Sequence, residues 1–240
     1  VEKPNSNQQR VEAMFNDIAH RYDLLNHLLS FGIHKLWRKR LVNNALLNNP
    51  AIVLDVATGT AGVAIDLAKN NKNVSVVGVD IAENMLAHGL LKAQKLGLEK
   101  RISMSKASAE DLPYSDNYFN ACTVAYGVRN FSNPLKGLQE IFRVTIPGGE
   151  IHVLEFVNPR NQLMRWIYGF YFRRILPFFG RIISGHKGAY SYLPQSVKHF
   201  VEREEFVNLL GSAGFVDAHY SIQSFGIAAI YKARKPLINN

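Results

Sequence analysis

The sequence predicts an α/β fold: a doubly wound, mostly parallel sheet that ends in an antiparallel C-terminal hairpin and is preceded by an N-terminal helical cap. Three observations predict it. Apolar runs of strand length alternate with helix-like stretches between residues 51 and 157, the rhythm of successive βαβ units. The first run, Ala51-Ile-Val-Leu-Asp-Val56, leads into the small turn Ala57-Thr-Gly-Thr-Ala-Gly62, and the next, Val74-Ser-Val-Val-Gly-Val-Asp80, ends in an acid. Two final apolar runs lie beside Gly226, close enough to form a hairpin.

In chain order, residues 1–7 are expected to be disordered. Val11, Met14, Phe15 and Ile18 share one helical face, which predicts an amphipathic helix over 8–19. Residues 22–40 mix polar, aromatic and basic side chains without a clean period, so they read as a cap over a site rather than as sheet. Residues 1–45 are therefore expected to form the helical cap, and 46–240 the main domain with an insertion near 160–190. Strands are predicted near 51–57, 74–80, 101–106, 119–126 and 149–157, with helices near 61–70, 83–96 and 132–145. Pro147-Gly148-Gly149 reads as a turn launching the fifth strand. A helix near 196–212 ends at Gly214, and strands near 215–222 and 225–232 bring the sheet to seven.

Composition narrows the function classes. At 240 residues and 47% hydrophobic, the chain suits one globular domain with elaborations. The single cysteine, Cys122, lies in an apolar run, which excludes an internal disulfide and suits a reducing cytoplasm. A net charge of +9 favours an anionic partner. No signal peptide is read in the polar first residues, and no run of 18 apolar residues predicts a span. The histidines show no metal-ligand spacing, so no metal is expected.

The turn at 57–62 carries the chemistry. A strand, a tight loop, a helix and a second strand ending in an acid form the layout of a nucleotide-type cofactor site. Only Gly59 and Gly62 lie in the turn, short of the Gly-x-Gly-x-x-Gly that cradles a pyrophosphate. An adenosine cofactor without phosphates fits better, and S-adenosylmethionine is the expected one. Asp80 is placed to accept from ribose hydroxyls, or else to cap the helix that follows. Asp55 reads as an organiser of the loop. Ala107-Ser108-Ala109, after the third strand, are small enough to admit an adenine. After the fourth strand come Arg129 and Asn130; an arginine fork there suits a developing oxyanion or phenolate. The competing reading is a capping Asn and a structural ion pair. Residues 163–183 interleave aromatic and aliphatic side chains with Arg165, Arg173, Arg174 and Arg181. They suit a membrane interface, a greasy substrate tunnel or a core helix, and are too aliphatic to favour nucleic acid.

Several blocks then carry a family resemblance over nearly the whole chain. They are Tyr22-Asp-Leu-Leu-Asn26, Ser30-Phe-Gly-Ile-His34 with Trp37-Arg38, Leu54-Asp-Val-Ala-Thr-Gly-Thr60, Gly127-Val-Arg-Asn130, Pro147-Gly-Gly149, Leu154-Glu-Phe156 and Tyr192-Leu-Pro194. Together they resemble the ubiquinone/menaquinone biosynthesis C-methyltransferase family. The resemblance implies a class I, Rossmann-like methyltransferase with a seven-stranded sheet and S-adenosylmethionine as methyl donor. It puts cofactor contacts on Thr60, Asp80, Ser108 and Ala109; Gly59 of the turn is expected to join them, and the chemistry is expected on Arg129 and Asn130 from their place after the fourth strand. It implies a prenylated hydroquinol acceptor, demethylmenaquinol by overall likeness. It also implies a cytoplasmic protein resting peripherally on the anionic inner face of a membrane, with room for a homodimer. Two positions depart from the family pattern: Ala125 stands for a serine, and Gly59-Thr-Ala-Gly62 for Gly-Thr-Gly-Asp. The competing functions are methylation of another substrate, and a cofactor-binding scaffold subunit in which the missing acid has cost the activity.

Overall fold

A computed structural model describes residues 6–30, 32–171, 174, 196–197 and 200–237. The expectations for residues 1–5, for Arg173 and Arg181, and for Tyr192-Leu-Pro194 lie outside the described residues. Seven strands form one sheet in the order β3-β2-β1-β4-β5-β7-β6. They are β1 (Ile52–Val56), β2 (Ser75–Asp80), β3 (Ile102–Lys106), β4 (Phe119–Ala125), β5 (Thr145–Phe156), β6 (Val216–Gln223) and β7 (Ala228–Arg234). The first five run parallel, and β7 pairs antiparallel with both β5 and β6. The predicted hairpin thus joins the sheet through its second strand.

Both faces of the sheet are covered, which is why the central strands are apolar almost throughout. Along β1, Leu54 and Val56 enter one core with Leu138, Ile141 and Phe206, while Val53 enters the other with Leu41, Leu67 and Ile230. The strand order reverses beside β1, since β2 and β3 build out one way and β4 and β5 the other. A crevice forms outside the carboxyl ends of strands at such a reversal, here beyond Val56 and Ala125.

The helices follow the predicted rhythm, with informative differences at their ends. They are α1 (Ser6–Ile18), α2 (Tyr22–Leu29), α3 (Ile33–Ala45), α4 (Gly62–Asn70), α5 (Glu83–Lys95), α6 (Pro134–Val144), α7 (Gln162–Phe170) and α8 (Glu204–Ser212). α6 starts two residues later than predicted because Asn133 caps it, accepting from the Lys136 N–H at 3.1 Å, with Pro134 next. Strand β5 starts at Thr145 rather than 149. Phe119 pairs with Thr145 and Ala121 with Glu150, so Pro147-Gly148-Gly149 bulge within a strand instead of preceding it. α8 starts at Glu204 rather than 196. Arg203 adopts φ +59°, which no helix carries through, and its N–H is held by the Tyr231 hydroxyl at 2.7 Å.

The N-terminal segment divides into two roles. α1 and α2 stand over the carboxyl ends of the strands, where Asn16 accepts from the Asn84 N–H at 2.9 Å and Glu12 pairs with Lys106 at 2.8 Å. α3 instead belongs to the sheet's own covering layer, with Trp37, Leu41, Val42 and Ala45 buried. Trp37 Nε1 also donates to Ser224 Oγ at 2.8 Å. On α7, Leu163, Trp166 and Phe170 face solvent, each at least half exposed. If α3 is core, Leu41→Ala should lower the unfolding free energy by about 2–5 kcal/mol in denaturant titration. A loss well below 1 kcal/mol would make α3 a detachable cap.

Candidate active site

The loop after β1 is the most strained turn of the site. Ala57, Gly59 and Ala61 all lie in the left-handed region, at φ +55°, +55° and +62°, a conformation that costs an alanine roughly 1 kcal/mol or more. Buried carboxylates hold it there. Asp55 accepts from Thr58 Oγ1 at 2.6 Å and from Thr123 Oγ1 on β4 at 2.7 Å. Burial pushes the Asp55 carboxyl up to about 6, against the pull of these hydroxyls. This is the organising role its position predicts. Asp80 accepts from the Gly59 N–H at 2.8 Å through one oxygen and from the Ala82 N–H at 2.9 Å through the other. It therefore binds the loop and the start of α5 together. A carboxylate has about four acceptor positions, so lone pairs remain for a ligand, and Asp80 lines the adjoining cavity.

That cavity is a narrow one. It runs from Asp80, Ile81 and Met85, past Ala107 and Ala109, to Ala125 and Tyr126 at the end of β4. Val11 and Phe15 of α1 and Tyr22 of α2 close it above. Of the predicted cofactor residues, Gly59, Asp80 and Ala109 line it directly. Ser108 Oγ bonds the Glu110 carboxylate, which in turn takes the Ser132 N–H at 2.7 Å. Thr60 faces a second crevice, and its hydroxyl donates to Asp23 Oδ1 at 2.6 Å, tying the loop to α2.

Tyr126 stands between the two cavities and lines both. It has φ +58°, its N–H is held by the Leu154 carbonyl at 2.7 Å, and its ring stacks on Phe156 at 4.7 Å. Among the described residues its buried hydroxyl has no hydrogen-bond partner, which leaves a donor for a ligand. Gly127 follows because a Cβ there would come within 2.6 Å of the Ala57 Cβ, so the loops after β1 and β4 touch. Asn130 lines the first cavity and donates to the Tyr126 carbonyl at 3.2 Å.

Arg129 has a different setting from the open fork expected of it. Its side chain is only 7% exposed, and Nη1 donates to Glu155 Oε2 at 2.7 Å and to the Tyr126 carbonyl at 2.6 Å. Burial pushes the Glu155 carboxyl up, and the Arg129 guanidinium pulls it back. The pair lies beneath the Tyr126 wall, and Arg129 is not among the lining residues of either cavity. Glu155 was not singled out by the sequence reading, although an acid inside an apolar strand had to find a partner.

The second crevice gathers Tyr22, Asp23, His34 and Arg38 beside Gly59 and Thr60. Ser30 Oγ donates to the Asn26 carbonyl at 2.6 Å and lies 2.5 Å from His34 Nδ1. A hydroxyl has one proton, so Nδ1 carries the hydrogen toward Ser30 and Nε2 is left as the acceptor. Burial, then the charges of Arg38 and Lys35, lower His34 to about 4, so it is neutral at pH 7. Arg38 pairs through Nε with Asp66 at 2.5 Å. Asp66 thus reaches, through Arg38, the neighbourhood of Gly62, where the resembled pattern carries an acid. Among the described residues no group of three or more His, Cys, Asp or Glu is arranged to hold a metal ion.

Comparison with known proteins is consistent with this geometry. The profile of the ubiE/COQ5 methyltransferase family matches residues 3–235. The chain is 45% identical to the ubiquinone/menaquinone biosynthesis C-methyltransferase UbiE of Geobacter sulfurreducens, over 95% of this chain and 90% of that one. It is 45% identical to the demethylmenaquinone methyltransferase of Thermus thermophilus, over 93% of this chain and 100% of that one. Among solved structures, the [4+2]-cyclase SpnF superposes with a TM-score of 0.71 at 20% identity, covering 99% of this chain and 100% of its own. A SAM-dependent methyltransferase from Aquifex aeolicus gives 0.56 at 21% identity, covering 77% and 81%. These last two likenesses establish the class I methyltransferase fold.

The buried pair makes a prediction that a substrate-facing arginine does not. Arg129→Ala should cost about 3–5 kcal/mol of folding stability, because it strands a buried carboxylate. The double variant Arg129→Met/Glu155→Leu should recover most of that loss in thermal or denaturant unfolding. An Arg129→Ala protein as stable as the parent would contradict the structural role.

Proposed function

This chain belongs to the ubiE/COQ5 methyltransferase family, and we propose that it methylates a ring carbon of a prenylated hydroquinol in quinone biosynthesis, using S-adenosylmethionine. Demethylmenaquinol is the acceptor that suits relatives named demethylmenaquinone methyltransferase. The observation that carries the reading is the slot from Asp80 to Tyr126, closed above by α1 and α2 and sharing Tyr22, Ala57, Gly59, Ala125 and Tyr126 with the second crevice. It fits an adenosine. Asp80 keeps lone pairs for ribose hydroxyls, Ala107 and Ala109 leave a flat gap, and Met85 and Phe131 offer apolar faces. The bound cofactor supplies a methyl group made electrophilic by its sulfonium.

The protein's own part is to hold the two reactants in line and to manage one proton, and alignment of this kind supplies much of a rate enhancement. A ring carbon next to a hydroxyl becomes nucleophilic as that hydroxyl loses its proton. His34 is the acceptor we assign for it. Its Nδ1–H is committed to Ser30, which leaves Nε2 as the acceptor, and it shares the second crevice with Tyr126. Arg129 acts as a positioning residue: with Asn130 it fixes the Tyr126 carbonyl, and so the side chain that lines both cavities. The helices above exclude water.

The isoprenoid tail calls for a lipid-facing exit, and α7 supplies a candidate. Trp166 stacks on Phe170 at 6.2 Å, and both are exposed. Phe225, in the β6–β7 turn at the same end of the sheet, is 82% exposed. Exposed aromatic side chains on a protein of net charge +9 suit an anionic lipid surface. Among the described residues no helix is long and apolar enough to cross a membrane.

Two experiments test this. Reduced demethylmenaquinone incubated with S-adenosylmethionine should gain one methyl group on carbon, by mass spectrometry. Asp80→Ala should raise the KM for S-adenosylmethionine, and His34→Gln should cut kcat about 100-fold with little change in that KM. No product from the parent protein refutes the acceptor, and an unchanged kcat in His34→Gln refutes the proton role. In flotation with anionic vesicles, binding should weaken with added salt and with Trp166→Asp/Phe225→Asp. Indifference to both would remove the membrane reading.

A further inference from the structure

The second crevice holds a guanidinium that the steps above leave unused. Among the described residues, the hydrogen bonding of Arg38 goes through Nε alone, to Asp66. Four further N–H donors lie on Nη1 and Nη2 in one fixed plane. The side chain is 25% exposed and lines the crevice together with Gly59 and Thr60.

Residue 62 explains how the guanidinium comes so close to the cofactor loop. A Cβ at Gly62 would stand 2.6 Å from Arg38 Nη1. With no side chain at residue 62, the fork rests on the first turn of α4; a Cβ there would make its tip move aside. The head of a helix is itself favourable to an anion. The charges around it point the same way. Five Lys and Arg side chains line the crevice against three Asp. Of those three, Asp66 is taken by Arg38, Asp23 by Lys92 and Thr60, and Asp55 by Thr58 and Thr123. The crevice lining therefore carries a positive excess of two, which suits an anionic group.

The shape identifies where that group comes from. The two cavities share the walls Tyr22, Ala57, Gly59, Ala125 and Tyr126. A ligand with its ribose at Asp80 and its base against Ala107 passes Gly59 and Tyr126 and delivers its other end into the second crevice. For S-adenosylmethionine that end is an amino acid. We infer that Arg38 receives the α-carboxylate of the cofactor's methionine end through its Nη fork. This assignment rests on the cofactor reading given above. A planar fork matches a carboxylate in two places at once, which a lysine does not.

The test uses two ligands that differ at that end. S-adenosylhomocysteine carries the amino-acid group, whereas 5′-methylthioadenosine has the same adenosine and a thioether without it. In calorimetric titration of the full chain, Arg38→Gln should weaken S-adenosylhomocysteine about 10- to 100-fold. It should leave 5′-methylthioadenosine within about twofold, which also shows that the variant is folded. Arg38→Lys should fall between, since it keeps the charge and loses the fork. Unchanged binding of S-adenosylhomocysteine to Arg38→Gln overturns the assignment. So does an equal loss of both ligands, because that is what a loop-supporting role would give. A parent protein that binds neither ligand fails before any substitution is made, and that result refutes the cofactor reading itself.

Discussion

One buried carboxylate joins the two strands between which the sheet changes direction. Asp55 sits on β1 opposite Thr123 of β4 and accepts its hydroxyl, while Thr58 donates to the other oxygen. The bond to Thr58 curls the chain back as soon as β1 ends, and the bond to Thr123 keeps β4 beside it. The later parts of the site depend on this. The curled loop presents the Gly59 N–H to Asp80, and it puts Ala57 against Gly127. Burial raises Asp55 because the ionised form gives up water to sit there. That cost is met by a network in which each oxygen has a hydroxyl donor.

The charged groups of the site divide by depth. Arg129 and Glu155 are buried, paired and hydrogen-bonded to backbone, and their attraction mostly offsets their own desolvation. They set the shape of the wall at Tyr126 without facing solvent. Arg38 lines a crevice, with Nε paired to Asp66 and Nη1 beside Gly62. The family block that contains Arg129 and the block that contains Arg38 thus place the same functional group in two different settings, one buried and one at a crevice.

Much of the fold was legible from local pattern. Alternating apolar runs placed the strands within a few residues, because a buried parallel strand has to be apolar on both faces. The misplaced boundaries share a cause. β5 begins four residues early because Pro147-Gly148-Gly149 is absorbed as a bulge against β4, and α8 begins late because Tyr231, on a distant strand, holds Arg203 out of helical conformation. Both depend on pairing with residues far along the chain. The mixed stretch at 22–40 gave no period because its two helices serve different surfaces, α2 over the cavities and α3 on the sheet.

The sequence by itself determined the class of site. Strand, tight turn and a second strand ending at Asp80 follow from residues within about one βαβ unit of each other, and the sparse glycines already disfavoured a pyrophosphate. Only the tertiary structure decided which side chains line the cavities. Arg129 is turned away by Glu155, which lies 26 positions along the chain on a neighbouring strand, and Arg38 comes to rest on Gly62 from a different helix. Spacing along a chain fixes the direction of a side chain relative to its own element. What that side chain meets depends on how separate elements pack, and no local pattern carries that information.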